Sequence, residues 1–351
     1  MTNPASPSRP RRWGLIIPWA IAGLIVLGWC GYWFALRTAV LTALNEWSQT
    51  QAQATGQQGF AAATIGGFPL RLEARLTQAA LVDPRGGYEA QTPLALVAIN
   101  PVNPQHVIVT FPEPIVYALE GGSPRQMSGD RVEASVRLEG DRLARVSFAG
   151  EGLRMAPPTA GPEEGLRFAT LGVHVRPDAR NAADWQVAIQ GAGVRLAGPV
   201  EAFEAFGEEI SALTLGVVIT KAEALTDPDA PDPLELWRQA GGEARLEAAE
   251  ITWGPATATG DGVIRLDASR RLEGSLNVRP TDTRAFLDAV AGGGDNPLTA
   301  ILAQSLEIST VTLTAQDGVL SWQADTPLGV IAPQPLRSLG PVYEAASSSG
   351  P

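Results

Sequence analysis

The sequence contains few of the residues from which catalytic and metal sites are built. Its 351 residues include one cysteine, Cys30, and two histidines, His106 and His174, neither with metal-ligating neighbours at ligand spacing. A single cysteine excludes an internal disulfide, and the histidine surroundings argue against zinc. Nucleophile-elbow, dinucleotide-binding and phosphate-loop signatures are also missing. We therefore expect no catalytic residue, no metal ligand and no cofactor, and we do not expect an enzyme.

Lysine is scarce as well, and the 26 basic residues are outnumbered by 37 acidic ones. Lys221 is the only lysine, and the net charge is −11. The first 40 residues hold four arginines and no acid, which leaves −15 on the rest of the chain. An acidic surface of this kind repels phosphate backbones, so nucleic acid is not expected as a partner.

One long apolar run lies near the N-terminus. Residues 13–36 carry no charge, and 24 helical residues extend about 36 Å, enough to cross a hydrocarbon core of about 30 Å. Tryptophan and tyrosine stand near both ends of the run, as in an interfacial aromatic belt. The pattern predicts a transmembrane helix. A cleaved signal peptide is the alternative, although its apolar core is usually shorter.

The arginines around this run predict its orientation. Arg9, Arg11 and Arg12 precede it, whereas Arg37 alone follows closely. Positive charge stays on the cytoplasmic side, so we expect a cytoplasmic N-terminus and a periplasmic C-terminal region. The chain is thus predicted to be a single-pass inner-membrane protein of a Gram-negative bacterium.

Beyond the apolar run, a helical pattern continues to residue 53 and is broken by Gly56 and Gly59. Strand-like alternation follows, first at Leu70, Leu72, Ala74 and Leu76, which are separated by polar residues. Twelve more segments are predicted as strands: 106–111, 115–119, 131–138, 143–148, 166–175, 185–196, 210–220, 243–253, 262–267, 272–278, 306–315 and 319–323. Closely spaced turn signals favour antiparallel meanders. The predicted fold is mainly β, an extended antiparallel sheet or sandwich with a few short covering helices.

Three short helices are predicted among these strands, at residues 233–240, 283–291 and 297–306. The first has Asp232 as N-cap and ends at Gly241. The Pro- and Asp-rich stretch around residues 226–233 suggests an internal boundary. The predicted organisation is a cytoplasmic tail (1–12), a transmembrane helix (13–36), a juxtamembrane helix and linker (37–60), two β-rich subdomains (61–225 and 226–344) and a disordered tail (345–351).

Three groups of motifs support a family resemblance. They are the Ile65–Glu73 segment with its Gly-Phe-Pro turn, the Ile251–Pro255 and Gly260–Gly262 segments with the strand after them, and Asp317–Leu320 followed by Pro327–Gly329. Together with the anchor they resemble a family of uncharacterised alphaproteobacterial envelope proteins, the domain of unknown function 2125 (DUF2125). The anchor and amphipathic strands are more distantly similar to AsmA-type envelope proteins, which are thought to hold lipids in apolar grooves. The resemblance implies no known activity.

The long sheets have one apolar face that needs a cover, and this suggests a function. If the cover is incomplete, the protein binds or shuttles a lipid or another hydrophobic ligand in envelope maintenance. If the core is closed, it is a structural or protein-interaction ectodomain. Candidate ligand contacts are Phe68, in a turn that we also expect to orient the first strand, and five residues of the two later helices: Phe286, Leu287, Val290, Ile301 and Leu302. Ligand identity, protein partners and oligomeric state are not predicted.

Overall fold

The computed structural model describes residues 13–83, 87–119, 122–140, 142–161, 163–198, 206–227, 230, 232–281, 310–326 and 329–342. A single helix, α1 (Trp13–Thr55), includes the predicted membrane span and the juxtamembrane helix without a break. A second helix, α2 (Pro233–Gln239), follows a short 3-10 turn at Ala222–Leu225. The two other predicted helices lie outside the described residues.

Seventeen strands make up the rest of the described fold. They are β1 (Ala62–Gly66), β2 (Leu72–Asp83), β3 (Tyr88–Asn100), β4 (Asn103–Thr110), β5 (Ile115–Leu119), β6 (Arg125–Ser128), β7 (Arg131–Glu139), β8 (Arg142–Ala156), β9 (Leu166–Pro177), β10 (Trp185–Arg195), β11 (Glu209–Ile219), β12 (Ala244–Trp253), β13 (Ala256–Leu266), β14 (Leu272–Pro280), β15 (Thr310–Gln316), β16 (Val319–Thr326) and β17 (Gly329–Ser338). Each of the predicted strands overlaps one of them. The predictions missed β1, β3, β6 and β17.

All seventeen strands belong to one antiparallel sheet, which confirms the predicted mainly-β fold and, of its two forms, favours the extended sheet. Strands β1, β2 and β3 pair in order, and β8 to β17 pair in order. Between β3 and β8 the simple order is broken at two places, where two short strands share one long partner. β4 and β5 both pair with β3, and β7 and β6 both pair with β8. The sheet is therefore a meander whose order follows the chain.

The first strand of the predicted series begins later than its alternation indicated. Leu70 lies in the turn between β1 and β2, where the Phe68–Pro69 peptide bond is cis, and its side chain is 79% exposed. β2 starts at Leu72, and Leu72, Ala74 and Leu76 are buried as the pattern predicted. The apolar–polar alternation of the sequence thus begins at Leu70, within the turn, whereas the strand itself begins at Leu72.

Helix α2 lies in the connection between β11 and β12 and packs against the 3-10 turn. Its start agrees with the prediction: the Asp232 carboxylate accepts a hydrogen bond from the Glu235 N–H at 2.9 Å. Trp237 is buried, and its Nε1–H donates to the Thr220 carbonyl oxygen at 2.6 Å. Because β11 and β12 pair directly across this segment, the sheet continues past the suggested boundary at residues 226–233. The division into two subdomains stays a prediction.

Candidate functional site

Cross-strand pairing joins the apolar side chains into two continuous rows. Directly paired residues point to the same face of a sheet, so the pairs can be followed from strand to strand. The first row is Leu72, Ile99, Val107, Val136, Val146, Val175, Val187, Val217, Leu246, Gly262, Leu276, Leu313 and Trp322. The second, two residues along most strands, is Ala74, Val97, Val109, Ala134, Phe148, Val173, Ile189, Leu215, Ala249, Gly260, Val278, Val311 and Ala324. We call their common surface the apolar face.

Burial along the apolar face is uneven. The rows are buried at the β2–β3 end, where Phe60 belongs to the same cluster and Leu44 of α1 packs against it. They are buried again at Val311 and Ala324. Between β4 and β14, the valine, leucine, isoleucine and phenylalanine side chains of both rows are only half-buried. Within the part of the chain that the structure describes, α1 contacts the sheet mainly at β1 and β2, and α2 mainly contacts the 3-10 turn. No described element forms a second layer over the middle of the apolar face.

The opposite face of the sheet is polar and carries a shallow trough of about 360 Å³. Five polar side chains line it, together with Ala, Gly and Val residues that include Val187 and Val217 of the first apolar row: Arg145, His174, Arg176, Gln186 and Glu247. The Arg176 guanidinium donates two hydrogen bonds to Gln186 Oε1, at 3.0 and 2.8 Å. His174 is half-buried on this polar face, and its buried Nδ1 has no hydrogen-bond partner. Its neighbours across the strands are Ser147 and Ala188, so no metal ligand adjoins it there.

An ion-pair network borders the trough. Arg180 connects Asp178 and Glu247, with Nη2 at 3.1 Å from Asp178 Oδ2 and 2.8 Å from Glu247 Oε1. Hydrogen bonds from the Arg180 backbone N–H and then from its guanidinium lower the pKa of Asp178. The two carboxylates raise the pKa of Arg180 in turn. Every carboxylate of this network is thus engaged in holding the β9–β10 turn, which favours a structural role. Across the described residues, no group of three or more potential metal ligands converges.

Helix α1 is long and apolar enough to cross a membrane. Its side chains from Ile17 to Gly28 are exposed, whereas those beyond begin to contact the sheet. Three aromatic side chains donate hydrogen bonds to carbonyl oxygens at the ends of β-hairpins: Trp29 to Pro69 at 3.0 Å, Tyr32 to Pro101 at 2.7 Å and Trp33 to Arg71 at 3.3 Å. The predicted aromatic belt therefore also joins the helix to the sheet.

Further along, α1 packs against β1 and β2. Trp47 stacks on Phe60, with ring centroids 6.4 Å apart. The hydroxyl of buried Ser48 accepts a hydrogen bond from the Gly59 N–H at 3.0 Å, and Gln51 Nε2 donates to the Val82 carbonyl at 3.4 Å. The C-terminal part of α1 therefore packs against the sheet through Trp47, Ser48 and Gln51.

Of the six predicted ligand contacts, the structure describes Phe68. Its ring lies edge-on to Trp33, with centroids 5.2 Å apart, and stacks near Phe34 at 6.1 Å. Half of the Phe68 side chain is exposed. Phe286, Leu287, Val290, Ile301 and Leu302 lie outside the described residues, so their role stays a prediction. The sequence reasoning found the amphipathic strands but missed the two rows, because rows follow from the pairing register.

The comparisons with known proteins add one match. A family model described as an uncharacterized protein conserved in bacteria (DUF2125) matches residues 33–330. No curated protein and no solved structure matches the chain. The matched region begins at Trp33, where α1 meets the sheet, and contains both apolar rows in full.

Proposed function

The chain belongs to the DUF2125 family of uncharacterized bacterial proteins, and because that description assigns no activity, we propose a function from the geometry. The protein is a membrane-anchored component of the bacterial envelope that holds the acyl chains of lipids on the apolar face. The observation that supports this most strongly is the continuity of the two apolar rows across thirteen strands, half-buried over most of their length.

The dimensions of the apolar face suit acyl chains. Neighbouring strands lie about 4.8 Å apart, so thirteen strands carry the rows over roughly 60 Å, about twice the thickness of a bilayer's hydrocarbon core. Two rows separated by two residues along most strands give a strip about 7 Å wide before side chains are added. An apolar strip of this size, broken only by the glycines of β13, is costly to leave in water, and a bound chain would remove that cost.

The position of α1 supports delivery from or to a membrane. The apolar face begins at β2, the strand against which α1 packs after leaving the proposed span. Lipid on the face would therefore start next to the bilayer that the helix crosses. The arginines of the first 12 residues support an N-terminus in the cytoplasm and a sheet in the periplasm.

Photo-crosslinking in cells tests lipid binding with a matched control on the same strand. Leu215 belongs to the second apolar row, and the adjacent Thr214 points to the polar face and is exposed. A photoreactive phenylalanine analogue would replace either residue in cells labelled with radioactive phosphate. Irradiation should give a phospholipid adduct at position 215 and none at position 214. A second pair, Ile189 and Gln190 of β10, should behave in the same way.

The outcome also separates the two functions that the sequence left open. If positions 189 and 215 give protein adducts and no lipid, the apolar face is an interaction surface for another protein. If neither pair shows a difference between the two faces, lipid binding on the apolar face is wrong. Location is tested separately: an alkaline phosphatase fused after Pro351 should be active, because that enzyme needs the periplasm for its disulfides. An inactive fusion at normal abundance would contradict the proposed orientation.

A further inference from the structure

Two hairpin ends beside α1 expose apolar side chains within about one turn of the helix, next to Trp29 and Tyr32. Phe68 and Leu70 lie in the β1–β2 turn and are 50% and 79% exposed, and Val102, in the β3–β4 turn, is 78% exposed. Pro69 and Pro101 present carbonyl oxygens to Trp29 and Tyr32 of α1. These contacts fix both turns to the helix. We call Phe68, Leu70 and Val102 the tip residues.

The rise of helix α1 along its axis gives the depth of the tip residues in the membrane. From Trp13 to Trp33 there are twenty residue steps, or about 30 Å, which equals the thickness of a hydrocarbon core. If the core begins at Trp13, it ends near Trp33, whose Nε1–H bonds the Arg71 carbonyl. Trp29 lies one turn, about 6 Å, deeper and bonds the Pro69 carbonyl. The Pro69 carbonyl therefore lies about 6 Å inside the boundary that Arg71 marks, and the Phe68 ring, which contacts Trp33, lies between the two levels.

We propose that the two hairpin ends insert into the outer boundary of the phospholipid bilayer that α1 crosses, with Phe68, Leu70 and Val102 among the upper acyl chains. The depth of about 6 Å at Pro69 is within the roughly 5–10 Å at which apolar side chains of interfacial elements sit. The β3–β4 turn, held at Tyr32, lies nearer the boundary, about 1.5 Å inside the level of Trp33. This inference rests on the proposed span of α1. It assigns the exposed tip residues a partner that the hydrogen bonds to the helix place next to them.

The charges around the turns fit the same arrangement. Arg71 follows the tip at the level of Trp33; its guanidinium is largely exposed and forms an ion pair with Glu73. Arg37 lies one helical turn beyond Trp33. At these positions both guanidinium groups reach the layer of lipid phosphates, which they bind with charge-assisted hydrogen bonds. The apolar tip residues thus face the acyl chains of the lipid, and the arginines that follow face its headgroups.

Insertion of the tip residues would give the sheet a fixed height and tilt above the membrane. A single helix allows rotation and tilting, whereas two inserted turns beside the helix add contacts that restrict both motions. The apolar face would then start at the bilayer surface in a defined orientation. The proposal thus extends the proposed function from anchoring to positioning of the lipid-binding surface.

Depth-dependent quenching on the full chain tests the insertion. In a Cys30→Ser background, which removes the only cysteine, one new cysteine at position 70 or 102 carries an environment-sensitive fluorophore. The protein is reconstituted in phosphatidylethanolamine and phosphatidylglycerol vesicles containing lipids spin-labelled near the headgroup. The matched control is Leu119→Cys: Leu119 is 66% exposed but pairs with Tyr88, about 40 Å from the Asn100 end of the same strand.

We expect the labels at positions 70 and 102 to be blue-shifted and quenched by the spin-labelled lipid, and the label at 119 to be neither. A label at either tip position that stays as water-exposed as the control would overturn the proposal. So would a blue shift without quenching, because the label would then be covered by protein. A further label at Leu24→Cys reports the span: if it is quenched by deep spin labels while positions 70 and 102 are not, only the tip insertion fails. If position 24 is not quenched either, the anchoring itself fails.

Discussion

Leucine truncations should distinguish a packed core from an open apolar face. Leu153 of β8 is 1% exposed and packs in a cluster with Ile115 and Val132. Leu215 of β11 lies in the second apolar row and is half-buried. Leu153→Ala and Leu215→Ala remove the same three carbon atoms. A difference in their effects therefore reports the surroundings of each side chain.

The expected free energies follow from burial and from the space left behind. Removing three buried carbons costs about 2.4 kcal/mol, at about 0.8 kcal/mol for each group. In a packed interior a cavity remains, and measured Leu→Ala losses rise to about 2.7–5.0 kcal/mol. We expect a loss in that range for Leu153→Ala. At position 215 water or a lipid chain can enter the space and part of the side chain is already exposed, so we expect about 1–2 kcal/mol.

Unfolding of the full-length chain, followed by circular dichroism in urea, measures both losses under the same micellar conditions. The midpoint should fall about twice as far for Leu153→Ala as for Leu215→Ala, with little change in the slope of either transition. A loss at position 215 equal to that at position 153 would mean that a packed layer covers Leu215. That result would refute the open apolar face and favour a closed, structural core.

Three further changes test the contacts that hold the fold. Gly59→Ala should cost about 1–3 kcal/mol, because a methyl group there overlaps the Trp47 indole, whereas Gly66→Ala meets open space and should be nearly neutral; thermal melts compare the two. Asp232→Ala should cost about 1 kcal/mol by removing the α2 N-cap, and the serine variant should restore most of it in urea titrations. Asp178→Asn should lower the melting temperature at pH 7 and do so less at pH 3. A lowered carboxyl pKa stabilises the fold above the unfolded-state value of about 3.9, and this contribution is lost as the pH falls below it. An effect of Asp178→Asn that grows on acidification would contradict this assignment.

Strands with one solvent-exposed face could be predicted from the sequence by their alternating pattern. Strand β3 shows why other strands were missed. Residues 94–99 of β3 are uninterrupted apolar residues, so the alternation that identified β7 or β11 is missing there. In the structure Ala95, Val97 and Ile99 are buried, and the intervening side chains are half-buried on the other face. Pro93 also argued against a strand. It lies between the segment of β3 that pairs with β5 and the segment that pairs with β4. Among the described strands, no partner faces Pro93 on that edge of β3, so its missing N–H removes no hydrogen bond there.

The apolar face itself could not be predicted, because it depends on register across the whole sheet. Alternation within one strand assigns its two faces, but a slip of one residue between neighbours would place an apolar row opposite a polar one. Local irregularities keep the rows in phase. The β11–β12 and β12–β13 ladders both shift near Ala248, and with these shifts Leu246 and Ala249 remain in successive rows. Such compensating bulges arise from tertiary packing and leave no local signal in the sequence.

The coupling of the membrane helix to the sheet gives the last prediction. Trp33 is 3% exposed, bonds the Arg71 carbonyl and contacts the ring of Phe68, so it is the buried centre of the junction. Trp33→Ala should remove about 3–5 kcal/mol of packing and release α1 from the β1–β2 turn. Trp33→Phe keeps an aromatic ring and loses the hydrogen bond, so it should cost about 1–2 kcal/mol.

Spin labels at positions 38 and 64, both exposed in the structure, report this release in the Cys30→Ser background. Helix and strand are held together on both sides of the label at 38, by Trp33 and by the contacts of Ser48 and Gln51. The distance distribution should therefore be narrow in the parent, slightly wider in Trp33→Phe and broad in Trp33→Ala. A broad distribution in the parent would mean that α1 is not docked against the sheet. The depth along α1 would then no longer place Phe68, Leu70 and Val102 at the bilayer. An unchanged narrow distribution in Trp33→Ala would instead assign the docking to the Ser48 and Gln51 contacts alone.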